Sequence, residues 1–223
     1  IFSDFPKYDL ARVLNKFFKK KIIKNKDFKL GKECKIGKNF YASNGVIIED
    51  NVKIGNNVHI GYNSIIKSNV TIQSNVLIQS GAVIGAEAFS FGYNKASKEK
   101  YLKVPSSGGV LIEEGSQIGN NCVIQRGLIE NTIIRENVKI NDLSNIGNSV
   151  LIGENSLIMA NVYLSGRVKI GENCWIAPNV SILQGVEIGN NTQIGIGSVV
   201  TKDVPEEYIA YGNPAKNIRK RDF

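Results

Sequence analysis

Residues 134–200 read "IRENVKINDLSNIGNSVLIGENSLIMANVYLSGRVKIGENCWIAPNVSILQGVEIGNNTQIGIGSVV". Counting from Ile134, every sixth residue is aliphatic: Ile140, Ile146, Ile152, Ile158, Leu164, Ile170, Ile176, Ile182, Ile188, Ile194 and Val200. A second column, four residues further on, is small or β-branched, as at Val138, Ser144, Val150, Ser156 and Val162. Gly often follows the aliphatic position directly, as at Gly153, Gly171, Gly189 and Gly195, and Asn is frequent between them. A helix repeats its apolar positions every 3.6 residues, so this period is not helical. β-branched residues suit strands, and Gly and Asn accept the positive φ of tight corners. The stretch predicts short strands joined by sharp turns, with three hexads making one triangular coil and each Ile pointing inward.

The same register runs from Ile36 through Ala42, Ile48, Ile54, Ile60, Ile66, Ile72 and Ile78 to Ile84, and returns at Ile112, Ile118 and Ile124. Stacked as parallel strands ~4.8 Å apart, these slots predict about eight coils and a prism about 38 Å tall. Two interruptions stand out. Residues 85–111 leave the register and are polar, aromatic and glycine-bearing, which predicts a protruding loop. Ten residues instead of six separate Ile124 from Ile134, which places a four-residue bulge in "RGLIENT".

The expected organisation is therefore an N-terminal segment over 1–33, the prism over 34–201 with its loop insertion at 85–111, and a C-terminal tail over 202–223. In the first segment Leu10, Val13, Leu14, Phe17 and Phe18 fall at helical spacing, with Asp9 as a candidate cap. A helix there would either cover the open lower edge of the prism or lie on a membrane surface through its basic residues.

The 223 residues carry a formal net charge of +8. The excess gathers in the first 38 residues and in the last nine, "AKNIRKRDF", so a local anion site fits better than a general nucleic-acid surface. Cys34, Cys122 and Cys174 are odd in number and widely spaced, which is neither a disulfide framework nor a zinc pattern. Free core thiols in a reducing, cytoplasmic setting are expected. No apolar run approaches the ~20 residues of a membrane span, and no signal peptide is evident.

The hexads resemble the hexapeptide-repeat acyltransferases, over roughly residues 34–219. The resemblance implies an all-β, left-handed parallel β-helix, homotrimers, and active sites in clefts between neighbouring prisms. The ending "GSVVTKDVPEEYIAYGNPAK", Gly197 to Lys216, resembles the CoA-dependent members, in which it lies near the CoA. "IGAEAFSFG" (Ile84–Gly92), "KVPSSGGVLI" (Lys103–Ile112) and "RGLIENTIIRENVKINDLSNIGNSVLIG" (Arg126–Gly153) resemble UDP-3-O-acylglucosamine N-acyltransferases. Two features depart from that group. Its large N-terminal nucleotide-binding domain finds no room in residues 1–33, and its carrier-protein-binding C-terminal helices give way to the GNPAK ending. The mixture implies an N-acyltransferase moving an acyl group from a CoA thioester to a nucleotide-linked amino sugar, of the kind used in surface polysaccharide or glycan biosynthesis, without a metal.

Amide formation needs a neutral amine, an oxyanion donor and aligned reactants. Where the family carries a general-base His, this sequence has Asn148 in "IGNSV". His59, the one histidine, belongs to a coil about 14 Å lower along the axis and reads as a surface corner residue. Asp142, one strand before Asn148, is the candidate amine contact, and Glu130 and Glu87 are candidate substrate contacts; as plain residues, Asp142 and Glu130 would simply end turns. Gly166 lies eighteen residues beyond Asn148, one coil above, and is the candidate oxyanion donor. By the resemblance the pantetheine arm would run past Gln184 towards Lys202, Lys216 and Arg219, which would meet the CoA phosphates. Phe89, Phe91 and Tyr93 alternate and would share a face, either stacking a base or sugar or pinning the loop. An O-acyltransferase and a non-catalytic β-helix scaffold are the competing readings. A single His excludes the γ-class carbonic anhydrases, which need three.

Overall fold

The computed structural model describes residues 4–17 and 27–221. Short strands, most of two residues, form three parallel sheets that close a triangular prism. The first face carries the ladder Leu30, Ile48, Ile66, Ile84, Ile124, Ile146, Leu164, Ile182 and Val200. The second runs from Ile36 through Ile112 and Ile134 to Ile188. The third runs from Ala42 through Ile118 and Ile140 to Ile194. Away from the two interruptions each coil advances the chain by eighteen residues, as at Ile146↔Leu164 and Leu164↔Ile182.

The core is one continuous stack of aliphatic side chains, and Ile66, Ile112 and Ile146 are fully buried. Burial of each such side chain is worth about 1.5–3 kcal/mol. The second column is buried too, and its polar members are satisfied locally: Ser144 Oγ donates to Met159 O (3.0 Å) and Ser156 Oγ to Gly171 O (2.8 Å). Cys122 and Cys174 occupy this column as free buried thiols, and burial raises the pKa of both.

The corners explain the asparagines. Among the described residues, 13 of the 18 non-glycine positions with positive φ are Asn. Asn tolerates this left-handed conformation because its short polar side chain bonds locally. Here the amides also form ladders, as in Asn39 Nδ2 to Asn57 Oδ1 (3.0 Å) and Asn57 Nδ2 to Asn75 Oδ1 (2.9 Å).

The prism is longer than the hexad count implied. Lys29–Leu30 pairs in parallel with Ile47–Ile48, so the coils start before residue 34. At the other end the residues expected to be a plain tail continue the prism. Val204 bridges to Ile188 and Ala210 pairs with Ile194; both are buried. Tyr208–Gly212 then turns back into Ala215–Lys220 as an antiparallel hairpin on the third face. Arg221 anchors it, with Nη1 donating to Asn173 O (3.3 Å) and Asn191 O (3.2 Å).

Helix α1 spans Pro6–Phe17. It begins ahead of Asp9, which lies within its first turn, where its charge favours the helix dipole, and is not the cap. Leu10, Val13 and Leu14 are exposed, and Leu30 at the base of the core is also exposed. Leu10, Val13 and Leu14 are therefore not buried against the prism. Phe18 lies outside the described residues. No described helix is long and apolar enough to cross a membrane.

Candidate active site

Both interruptions of the repeat fall at one edge of the prism. The loop joins the first-face strand Val83–Ala86 to the second-face strand Val110–Ile112, and the bulge joins Val123–Gln125 to Thr132–Ile134 one coil higher. Continuing upward along this edge, the corners hold Asn148, Gly166, Gln184 and Lys202, each eighteen residues apart. Coil arithmetic from Asn148 leads to Gly166 and Gln184, and Lys202 continues the same column.

The loop is tied down at its stems. Arg126 reaches across three coils, with Nε donating to Gly85 O (3.0 Å) and Nη2 to Ser68 O (2.9 Å). The Ser106 amide donates to Glu87 Oε1 (2.7 Å). That bond holds the Glu87 carboxyl below its ordinary pKa, against the opposing pull of burial and with help from Arg126 and Lys103. A depressed carboxylate stabilises the fold above its unfolded pKa and loses that contribution as pH falls through the folded one. Acidification should therefore loosen the loop stems before the prism, seen as faster amide exchange at Ser106 while the core amides stay protected. Glu87 is thus a stem anchor that ties the start of the loop to Ser106 at its end.

Beyond the stems, Phe91–Tyr93 and Tyr101–Lys103 form an antiparallel hairpin. Phe89 and Phe91 meet edge-on at 5.0 Å, and Tyr93, two residues along the strand from Phe91 and so on the same face, pairs with Tyr101 across the hairpin at 5.2 Å. Phe89 is 86% exposed. The aromatics do not pin the loop to the prism. Lys103 donates to Ala88 O and lies over the Phe91 ring.

The bulge is packed through glycines. Gly108 N donates to Gly127 O (3.2 Å), Gly127 N to Gly109 O (3.2 Å), and Gly109 N to Asn131 Oδ1 (2.8 Å). Glu130, on this bulge, has an exposed side chain.

Asn148 sits half-buried in the turn above the bulge. Its carbonyl accepts from Arg167 N (2.8 Å), which closes the next turn. A Cβ on Gly166 would lie 2.7 Å from Asn148 Oδ1, so the two residues are in contact only because position 166 is Gly. The absence of a side chain there has a second effect. At six other turns the corresponding amide is taken by a side-chain oxygen from the coil above, as in Lys38 N to Asn56 Oδ1 (2.7 Å) and Glu172 N to Asn190 Oδ1 (2.9 Å). The Asn148 and Gly166 amides have no such acceptor among the described residues. Two donors thus stand open on successive coils.

The structure separates the other candidates. Asp142 lies on the edge between the third and first faces, a full face of the prism, roughly 20 Å, from Asn148. It is not part of the Asn148 frame within one protomer. Its Oδ1 accepts from Asn120 N (2.6 Å) and Asn120 Nδ2 (3.1 Å), and it borders a third-face depression with Lys139, Leu157 and Met159. Lys139 donates to Gly115 O (2.6 Å), and burial lowers its pKa. Lys216 and Arg219 sit on the top hairpin of the third face, away from the column that ends at Lys202. His59 is a strand residue on the third face, not a corner residue, and its ring packs on Tyr41 at 5.2 Å. Among the described residues no group of His, Cys, Asp or Glu is arranged to hold a metal.

Residue types alone did not announce Arg126 as the brace or Arg167 beside Gly166. The stacking of the two interruptions at one edge was the available signal for both.

Three stretches, 33–68, 51–86 and 167–202, match the bacterial transferase hexapeptide (six repeats) model. These stretches are similar to bacterial transferase hexapeptide repeats. Solved structures share the coiled architecture. UDP-N-acetylglucosamine acyltransferase from Campylobacter jejuni superposes with a TM-score of 0.77 at 23% identity, covering 88% of this chain and 74% of that one. LpxA from Acinetobacter baumannii gives 0.80 at 22% identity, covering 88% and 73%. The fold is therefore the left-handed parallel β-helix. Among curated proteins, the UDP-3-O-acylglucosamine N-acyltransferase of a Geobacter species is 43% identical over 84 residues, 38% of this chain and 24% of that protein. The enzyme of the same name from Methylobacterium nodulans is 33% identical over 137 residues, 61% of this chain and 38% of that protein. This chain spans well under half the length of either curated relative.

Proposed function

We propose that this protein is an N-acyltransferase that moves an acyl group from a thioester to the amine of a nucleotide-linked amino sugar, with CoA as the carrier. The observation that carries the reading is the edge on which the loop, the bulge, Asn148 and the open Gly166 amide stack. The names of its curated relatives give the substrate class. The Gly166 amide binds the thioester oxyanion, where a preorganised backbone donor acts without reorganisation. Gln184 and Lys202 line the path of the pantetheine arm above it, and Glu130 and the loop hold the sugar nucleotide below.

No histidine serves as base. A sugar amine is less basic than a lysine, whose reference pKa is about 10.4, because its neighbouring oxygens withdraw charge. A useful neutral fraction then exists near pH 7, and Asn148 orients it. The working assembly is a homotrimer with sites in the clefts. A three-fold axis keeps heights, so Asp142 of a neighbouring protomer meets the level of Asn148, and Lys216 and Arg219 meet the CoA held by a neighbour.

Asp142→Asn keeps an oxygen for Asn120 and so keeps the fold. It should slow transfer about tenfold, less than a full general base contributes; an unchanged rate removes Asp142 from the mechanism. The function itself is tested by a mass-spectrometric screen of CoA thioesters against nucleotide-linked amino sugars. An acylated sugar nucleotide supports it. No transfer and no CoA binding would return the chain to the scaffold reading.

A further inference from the structure

Among the described residues, thirteen of the positive-φ positions outside glycine are Asn, and five are not: Glu33, Leu143, Ser149, Arg167 and Glu207. Ser149 and Arg167 stack eighteen residues apart on the edge described above, directly after Asn148 and Gly166. Arg167 has φ +60°. A long side chain gains nothing from that conformation, and strain of this kind persists at functional sites. None of the ion pairs among the described residues involves Arg167. Its nearby basic neighbour Lys169 is already paired with Glu187 (2.6 Å). The side chain is exposed, and the position above it is Gly185, where an added Cβ would meet nothing within 4 Å. An unpaired guanidinium is thus held at the transfer edge with open space over it.

We propose that Arg167 is a specificity-determining residue that binds the diphosphate of the sugar nucleotide. The proposal rests on the transfer edge assigned under the proposed function. Arg matches phosphate oxygens with two parallel N–H donors, which a turn-forming Asn does not. The sugar carries its amine a few bonds from its diphosphate, within reach of a residue adjoining Gly166. The phosphates of a CoA lie at the far end of the pantetheine arm, towards Lys202.

Arg167→Asn installs the residue that this fold uses at its other left-handed corners, so the variant should fold and melt at or above the wild-type temperature. Calorimetric titration with UDP and with uridine then reads the contact. The wild type should bind UDP more tightly than uridine, and the variant should lose about tenfold in UDP affinity, with uridine and acetyl-CoA unchanged. Arg167→Lys should fall between them. Equal binding of UDP and uridine by the wild type, or an unchanged UDP affinity in Arg167→Asn, overturns the proposal. So does a loss confined to acetyl-CoA, which would place the anion on the donor. A phosphate-dependent loss at Arg167 without any acyl transfer would instead reject the transferase reading and leave this site standing.

Discussion

Gly166→Ala should lower the rate of acyl transfer by about 10²- to 10³-fold, the range for loss of one oxyanion donor. The added methyl would sit 2.7 Å from Asn148 Oδ1 and 3.3 Å from its Cγ and Nδ2. All three atoms belong to the end of one half-buried side chain, which can turn aside. The backbone at 166 is not left-handed, so no strain is added. The stability cost should stay within about 1 kcal/mol, typical of a substitution away from the core. What changes is the site: the methyl displaces Asn148 and crowds the amide that would face the thioester oxygen. Thermal melting should therefore match the wild type while turnover collapses. A full rate in Gly166→Ala would remove the oxyanion assignment.

Gly127→Ala should do the opposite and strike the fold. Its Cβ would fall 1.4 Å from the carbonyl oxygen of Glu130 and 2.6 Å from that residue's carbonyl carbon. The obstacle is backbone inside a closed bulge, and Gly127 is buried. The bulge and the adjoining loop stem, where Gly108 and Gly109 bond to it, must move together. Overpacking of this kind costs about 3 kcal/mol or more. At ~2–4 °C per kcal/mol for a chain of this size, the melting temperature should drop by roughly 6–12 °C. Coils contact mainly their neighbours, so the damage should centre on the coils holding Ile112 and Ile134. Hydrogen exchange reports that location, and a uniform loss of protection would contradict it.

The prism was legible because its period is set by covalent geometry. An inward Ile every six residues and an Asn at the left-handed corner are local requirements, repeated until chance is excluded. The coil count was harder. Leu30 occupies a valid slot six residues before Ile36, but one aliphatic residue in a lysine-rich segment carries little signal. At the top, Val204 follows Val200 by four residues, and the shortened turn hides the slots that end in Ala210. Adding eighteen to Asn148 reaches Gly166, the residue stacked on it, because stacking follows from the closed coil. Moving six residues back to Asp142 misled, since six residues are one whole face of the triangle. The Tyr93–Tyr101 pair depends on where the hairpin turns, which alternation of aromatics does not disclose. Arg126 and Arg167 take their meaning from the edge they occupy, and only the assembled coils define that edge.

The central claim is that this edge transfers an acyl group to nitrogen without a histidine. The most direct test incubates wild type and Gly166→Ala with acetyl-CoA and a UDP-linked amino sugar, then locates the acyl group by tandem mass spectrometry. The account predicts an N-acylated product from the wild type, formed at least about 10²-fold more slowly by the variant. An acyl group on oxygen, or equal rates from both proteins, would contradict it.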